Sequence, residues 1–199
     1  MTEINYNEII NETTSRHYNV RDEFKDNTIE ENREICRNES LGFGVAALSI
    51  TGDLNIGMMI RTASLLGAEK FFIFGRRQYD RRSTVGAHKY IDVERIEGIS
   101  AQNIMEVCLD NGYIPVYVEQ GGDDIKHLSN FKEQMGELKP LFVFGSESEG
   151  ISETVMRLTG LYMPCIRLSI PQCGVLRSFN VSTAMSIVTW EWARLFMDN

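Results

Sequence analysis

Three polar stretches hold the side chains best suited to chemistry. TGDLNIGMMIR (51–61) sets Asn55 and Arg61 six residues apart. An isolated arginine among Ile56, Met59 and Ile60 needs a partner, because a buried unpaired guanidinium is costly. That partner is either a structural carboxylate or an anionic substrate group gripped by the planar fork. FGSESEGIS (144–152) brackets Glu147 and Glu149 with Gly145 and Gly150. Glycine directly after a strand lets a ligand approach the backbone closely. The two acids suit acid–base work, or simply favour the dipole of a following helix. IPQCGVLRSFNVS (170–182) places Ser178 and Asn180 at the mouth of a helix, where either could serve as N-cap.

Charge along the chain adds a fourth feature. The 199 residues carry a net charge of −8, yet positions 61–95 hold eight bases against four acids. Most of that island lies in GRRQYDRRSTVGAHKY (75–90), with Arg76, Arg77, Arg81, Arg82 and Lys89. It is either a solvated loop or a phosphate-binding strip, since affinity for a polyanion follows local charge.

The positioning elements follow from periodicity. GVAALSI (44–50), KFFIF (70–74), YIPVYVE (113–119), LFVFG (141–145) and YMPCIRLSI (162–170) read as strands. Helical spacing appears over 55–67, with Asn55 as N-cap and Gly67 as stop, and over 100–112, behind a serine cap. A short helix or turn is expected at 151–160 and a long helix from Asn180 onward. Alternating strands and helices, with strands apolar on both faces, imply an α/β fold with a mainly parallel sheet and helices on both sides. Ligands in such sheets sit beyond the C-terminal strand ends, where the three polar stretches fall. Residues 1–41 lack glycine and proline and carry ten acids against five bases. They read as an acidic, helical N-terminal extension to a domain at 42–199, with Tyr6, Ile9, Ile10, Tyr18 and Phe24 loosely at helical spacing.

Several classes are disfavoured. No run of about 18 apolar residues occurs, so no membrane partner is expected. Four scattered cysteines (Cys36, Cys108, Cys165, Cys173) argue against a disulfide scaffold and for a cytoplasmic setting. The three histidines lack ligand spacing, so no metal site is expected. GFGVAA (42–47) satisfies Gly-x-Gly-x-x-Ala, but its glycines precede the strand instead of following it, so it is not a dinucleotide fingerprint.

In order and spacing, the three stretches resemble the signature motifs of the SpoU (TrmH) family of RNA ribose 2′-O-methyltransferases. NIGMMIRTA (55–63) matches the first motif, FGSESEGI (144–151) the second and IPQCGVLRSFNVS (170–182) the third. Phe179 stands where that family usually has leucine. VEQ (118–120) and the RSFN form of the third motif look most like the branch containing eukaryotic tRNA guanosine-18 methyltransferases.

The resemblance implies a C-terminal deep trefoil knot, a homodimer packed through the first and last helices of the domain, and S-adenosyl-L-methionine bound near Gly145, Ile170 and Phe179. It implies roles in catalysis for Arg61, Asn55, Glu147, Ser178 and Asn180, with RNA as substrate, tRNA favoured over rRNA. Arg61 then reads as a phosphate clamp, because a guanidinium is a poor base. A non-catalytic RNA-binding scaffold of the same fold is the competing reading, and a small-molecule methyltransferase is a third.

Overall fold

The computed structural model describes residues 19–75, 78–146 and 148–197. Six strands form one sheet in the order β3-β2-β1-β5-β4-β6, and every neighbouring pair is parallel. The chain runs α1 (Ile29–Asn38), β1 (Gly44–Leu48), α2 (Asp53–Leu65), β2 (Lys70–Phe74) and β3 (Asp92–Ile96). It continues through α3 (Ala101–Asn111), β4 (Tyr113–Asp124), α4 (Leu128–Met135), β5 (Lys139–Phe144), α5 (Glu153–Tyr162), β6 (Ile166–Ser169) and α6 (Val181–Met197).

Alternation along the strands feeds two cores. Val45, Phe71, Phe142 and Phe144 meet Ile56, Met59, Ile60, Met185 and Trp192 on the face covered by α2 and α6. Ala46, Phe72, Phe74, Leu141 and Val143 meet Ile104, Val107 and Met156 on the face covered by α3 and α5. Near-complete burial of β1 and β2 fits strands enclosed between helix layers. The strand order reverses between β1 and β5, and the loops after those strands flank that switch point.

Several elements differ from the sequence expectations. β3, DVERI, lies at the sheet edge and is only half-buried, so three charged residues hide its pattern. The helix over 128–135 escaped notice among polar residues. β4 runs five residues past Glu119, and β6 begins only at Ile166 because 162 still belongs to α5. Asn55 does not cap α2: the helix starts at Asp53 behind Gly52, and the Asn55 side chain instead donates to the Thr51 carbonyl at 3.2 Å.

Ahead of β1, α1 is opened by a reciprocal capping box between Thr28 and Glu31. Arg33 and Arg37 both pair with Asp92, which fastens α1 to the start of β3. Tyr6, Ile9, Ile10 and Tyr18 lie outside the described residues. Among the described residues, no helix is long and apolar enough to cross a membrane.

Candidate functional site

A cleft of about 260 Å³ opens beyond the C-terminal ends of β4, β5 and β6. Val118, Phe144, Met156, Ile170 and Phe179 give it apolar walls, and Gly145, Ser146, Ser148, Gly150 and Ser178 give it exposed backbone and hydroxyl groups. Gly145, Ile170, Phe179 and Ser178, singled out from the sequence, therefore share one cavity.

The loop after β5 is folded back on itself. Ser146 and Gly150 form a two-residue bridge, with the Gly150 N–H donating to the Ser146 carbonyl at 2.9 Å. A Cβ on Gly145 would stand 2.3 Å from the Gly150 carbonyl carbon and oxygen, closer than any side chain tolerates. The paired glycines are what allow this turn, and they leave its backbone facing the cleft. Glu147 lies outside the described residues.

The electrostatics suit a cationic ligand. Glu119 and Glu149 line the cleft against the single arginine Arg177 among the described lining residues. Glu153 also lines it, but its carboxylate is paired with Arg167 at 2.5 Å and held below its usual range by that hydrogen bond. A sulfonium or ammonium is favoured there, and a phosphate chain is not.

Asn180 ties the cleft to the switch point. Its Oδ1 accepts from the Ser182 N–H at 3.0 Å and the Ser182 hydroxyl at 2.6 Å, which caps α6. Its Nδ2 donates to Asn55 Oδ1 at 3.2 Å, across 125 residues of chain. The cap and the functional reading of Asn180 are thus compatible, because one amide serves both.

Arg61 stands elsewhere. It is exposed, and lines a small cavity of about 100 Å³ with Val85, Gly86 and Lys89 rather than the cleft. Its face of α2 also carries Leu54, Met58 and Leu65, all exposed, whereas Ile56, Met59, Ile60 and Ala63 point at the core. Arg61 therefore lies on an outer apolar stripe and not among the core-facing residues. Among the described residues it forms no salt bridge.

The basic loop is docked directly on α2. Gly57 makes this possible: a Cβ there would fall 1.7 Å from Ser83 Oγ and 2.8 Å from the Asp80 carbonyl oxygen. The Asp80 N–H also donates to the Asp53 carbonyl at 3.2 Å. Arg81 and Arg82 are exposed, and Lys89 is half-buried beside Arg61. Arg82 grips Asp80, whose carboxylate is held below its ordinary range by that hydrogen bond. Burial, aided by the charges of Arg81 and Lys89, lowers the His88 imidazole, so the positive charge of the loop near pH 7 rests on arginine and lysine. Arg76 and Arg77 lie outside the described residues. If this loop grips phosphates, Arg81→Ala with Arg82→Ala weakens RNA binding and flattens its salt dependence, leaving the cleft untouched. Unchanged RNA affinity at about 0.15 M salt would remove the loop from the interface.

Sequence reasoning missed Glu119 and Gln120 as members of the cleft. VEQ at the end of a strand was the available signal, but nothing in the sequence shows that 119 and 120 sit between the later loops.

Comparison with known proteins matches residues 42–190 to the sequence model described as the SpoU rRNA Methylase family. A mouse tRNA (guanosine(18)-2′-O)-methyltransferase is 25% identical over 168 residues, 79% of this chain and 10% of that protein. An uncharacterized tRNA/rRNA methyltransferase of Synechocystis is 31% identical over 149 residues, 72% of this chain and 35% of that protein. The chain thus spans only a minor part of the length of these two relatives. The SpoU methyltransferase AviRb of Streptomyces viridochromogenes, solved with AdoMet, shares the fold with a TM-score of 0.63 and 24% identity. That likeness covers 81% of this chain and 60% of AviRb.

Proposed function

This chain belongs to the SpoU rRNA Methylase family, and from that premise we propose that it transfers a methyl group from S-adenosyl-L-methionine to a ribose 2′-hydroxyl of RNA. The observation that carries the reading is the cleft. Glycine-lined backbone, apolar walls and an excess of carboxylates over cations fit an adenosyl group joined to a sulfonium. When bound, S-adenosyl-L-methionine supplies an electrophilic methyl carbon.

The protein's part is orientation and charge. Gly145 and Ile170 offer backbone to the adenosyl moiety, and Phe179 closes one wall. Ser178 holds the ribose or the loop beside it. Asn55 and Asn180, joined side chain to side chain, fix the first motif against the third. Glu147 orients Asn55 or Arg61. Arg61 clamps the phosphate next to the target ribose and stabilises the developing alkoxide, a task suited to a group that stays protonated. As the ribose oxygen bonds to the methyl carbon the carbon–sulfur bond breaks and the hydroxyl proton passes to solvent water, and the fixed guanidinium stabilises the negative charge that builds on that oxygen during its deprotonation. Arg61, Arg81, Arg82 and Lys89 form one basic strip for RNA, and Arg76 and Arg77 of the same loop are assigned to RNA binding with them.

We place tRNA ahead of rRNA on the likeness to the mouse enzyme, with the cytoplasm as the compartment and the family's C-terminal knot made by the segments 144–151 and 170–180. Nucleoside mass spectrometry of total tRNA and rRNA from cells lacking the protein tests the substrate. Loss of one 2′-O-methylnucleoside from tRNA is the expected result, and intact methylation of both pools counts against the function.

The active form is a homodimer. α2 and α6 pack side by side, and both leave apolar residues in solvent: Leu65 is 74% exposed and Trp190 50%, while Trp192 is buried with its indole N–H on the Leu41 carbonyl. Such a surface calls for a symmetric partner, and Arg61 would lie at its seam. Light scattering should return twice the 22.7 kDa chain mass, and Trp190→Glu should shift it toward the monomer. A wild-type mass of one chain at micromolar concentration would refute the dimer.

A further inference from the structure

We propose that Glu119 and Gln120 are positioning residues that set the two walls of the cleft against each other, an assignment that rests on the cleft being the S-adenosyl-L-methionine site. Consecutive residues of a strand point to opposite sides. Here the strand itself is irregular: the pairing of β4 with β6 shifts register between Val118 and Asp123. Such an irregularity re-aims side chains and releases them from the ladder.

Glu119 takes the wall formed by the loop after β5. Its Oε2 accepts from the Ile151 N–H at 3.0 Å, and its Oε1 accepts from the Gln120 N–H at 3.0 Å. The carboxylate occupies the space that a side chain at 150 would fill, since a Cβ on Gly150 would lie 2.5 Å from Oε2. Gln120 takes the opposite wall: its Nε2 donates to the Arg177 carbonyl, one residue before Ser178. Residues 171–180 are exposed throughout, so burial does little to hold them. Gln120 gives that loop a fixed point beside Ser178 and Phe179, while Asn180 anchors its far end on Asn55. One irregular stretch of β4 therefore fixes both cofactor loops, and the distance between them follows from two neighbouring residues.

The test is calorimetric titration of the full chain with S-adenosyl-L-methionine, paired with steady-state methylation. Gln120→Ala removes the donor, and Gln120→Glu keeps the shape but sets a carboxylate against a carbonyl. Both should weaken cofactor affinity about five- to tenfold, as loss of a specific hydrogen bond does. KM for the cofactor should rise with KM for RNA and the melting temperature near wild type. A wild-type isotherm matched by Gln120→Ala would overturn the assignment alone. Parallel losses of melting temperature and RNA affinity would reduce Gln120 to a general structural role and also overturn it. No heat with the wild-type chain would overturn the cofactor site, and the assignment with it.

Discussion

Arg61→Ala should lower methyl transfer by about 10²–10³-fold, equivalent to about 3–4 kcal/mol of transition-state stabilisation. Arg61 is exposed on α2, outside the core-facing set of Ile56, Met59, Ile60 and Ala63. Removing it opens no cavity and breaks no salt bridge among the described residues, so the melting temperature should stay near wild type. Cofactor affinity should also persist, because Arg61 does not line the cleft. Arg61→Lys should fail nearly as badly, since an ammonium cannot reproduce a planar, bidentate grip on phosphate. Single-turnover rates with saturating cofactor separate these effects. A variant that folds, binds cofactor and methylates RNA at full rate would end the clamp assignment.

Gly145→Ala should weaken cofactor binding by up to about 100-fold, by a different route. The added methyl meets backbone atoms of Gly150 at 2.3 Å, and backbone cannot rotate aside as a side chain could. The bridge between Ser146 and Gly150 must then open, and the wall that presents backbone to the ligand is lost. Overpacking of this kind costs about 1–3 kcal/mol. If it falls mainly on the loop, affinity drops by up to about 100-fold while the rest of the sheet keeps its stability. RNA binding through Arg81, Arg82 and Lys89 should survive, since the basic loop is docked on α2. Calorimetry with the cofactor and salt-dependent RNA binding, run on the same variant, give the comparison. Wild-type cofactor affinity would show that the closed turn is not part of the site.

The legible parts of this molecule are those where one physical pattern dominates. KFFIF and LFVFG read as strands because they are short, rich in aromatic and β-branched residues and bounded by glycine, and both lie inside the sheet. Ser100 was readable as a cap, and it accepts from the Asn103 N–H. The three motif loops were readable because glycine, proline and polar residues cluster just past strands. Edge strand β3 was not, since DVERI pairs on one side only and exposes its charges.

Asn55 was misplaced for a related reason. Asparagine is a common N-cap, but the cap position falls at Gly52, three residues earlier, and a tertiary partner at 180 could not be foreseen from local sequence. The position of Arg61 was half legible. Its apolar neighbours pointed to a face, but helical spacing alone does not say whether that face meets the core or the solvent. Glu119 and Gln120 were illegible as site members, because their partners lie 32 and 57 residues away.

The central claim, that this chain methylates a ribose hydroxyl of RNA, is tested most directly by nucleoside analysis of RNA reacted in vitro. Unmodified tRNA and rRNA transcripts are incubated with the protein and methyl-labelled S-adenosyl-L-methionine, then digested and resolved by mass spectrometry. The label should appear in a single 2′-O-methylnucleoside, and Arg61→Ala should reduce it by about 10²–10³-fold. Label on a base, or none in RNA while the cofactor still binds, would contradict the account.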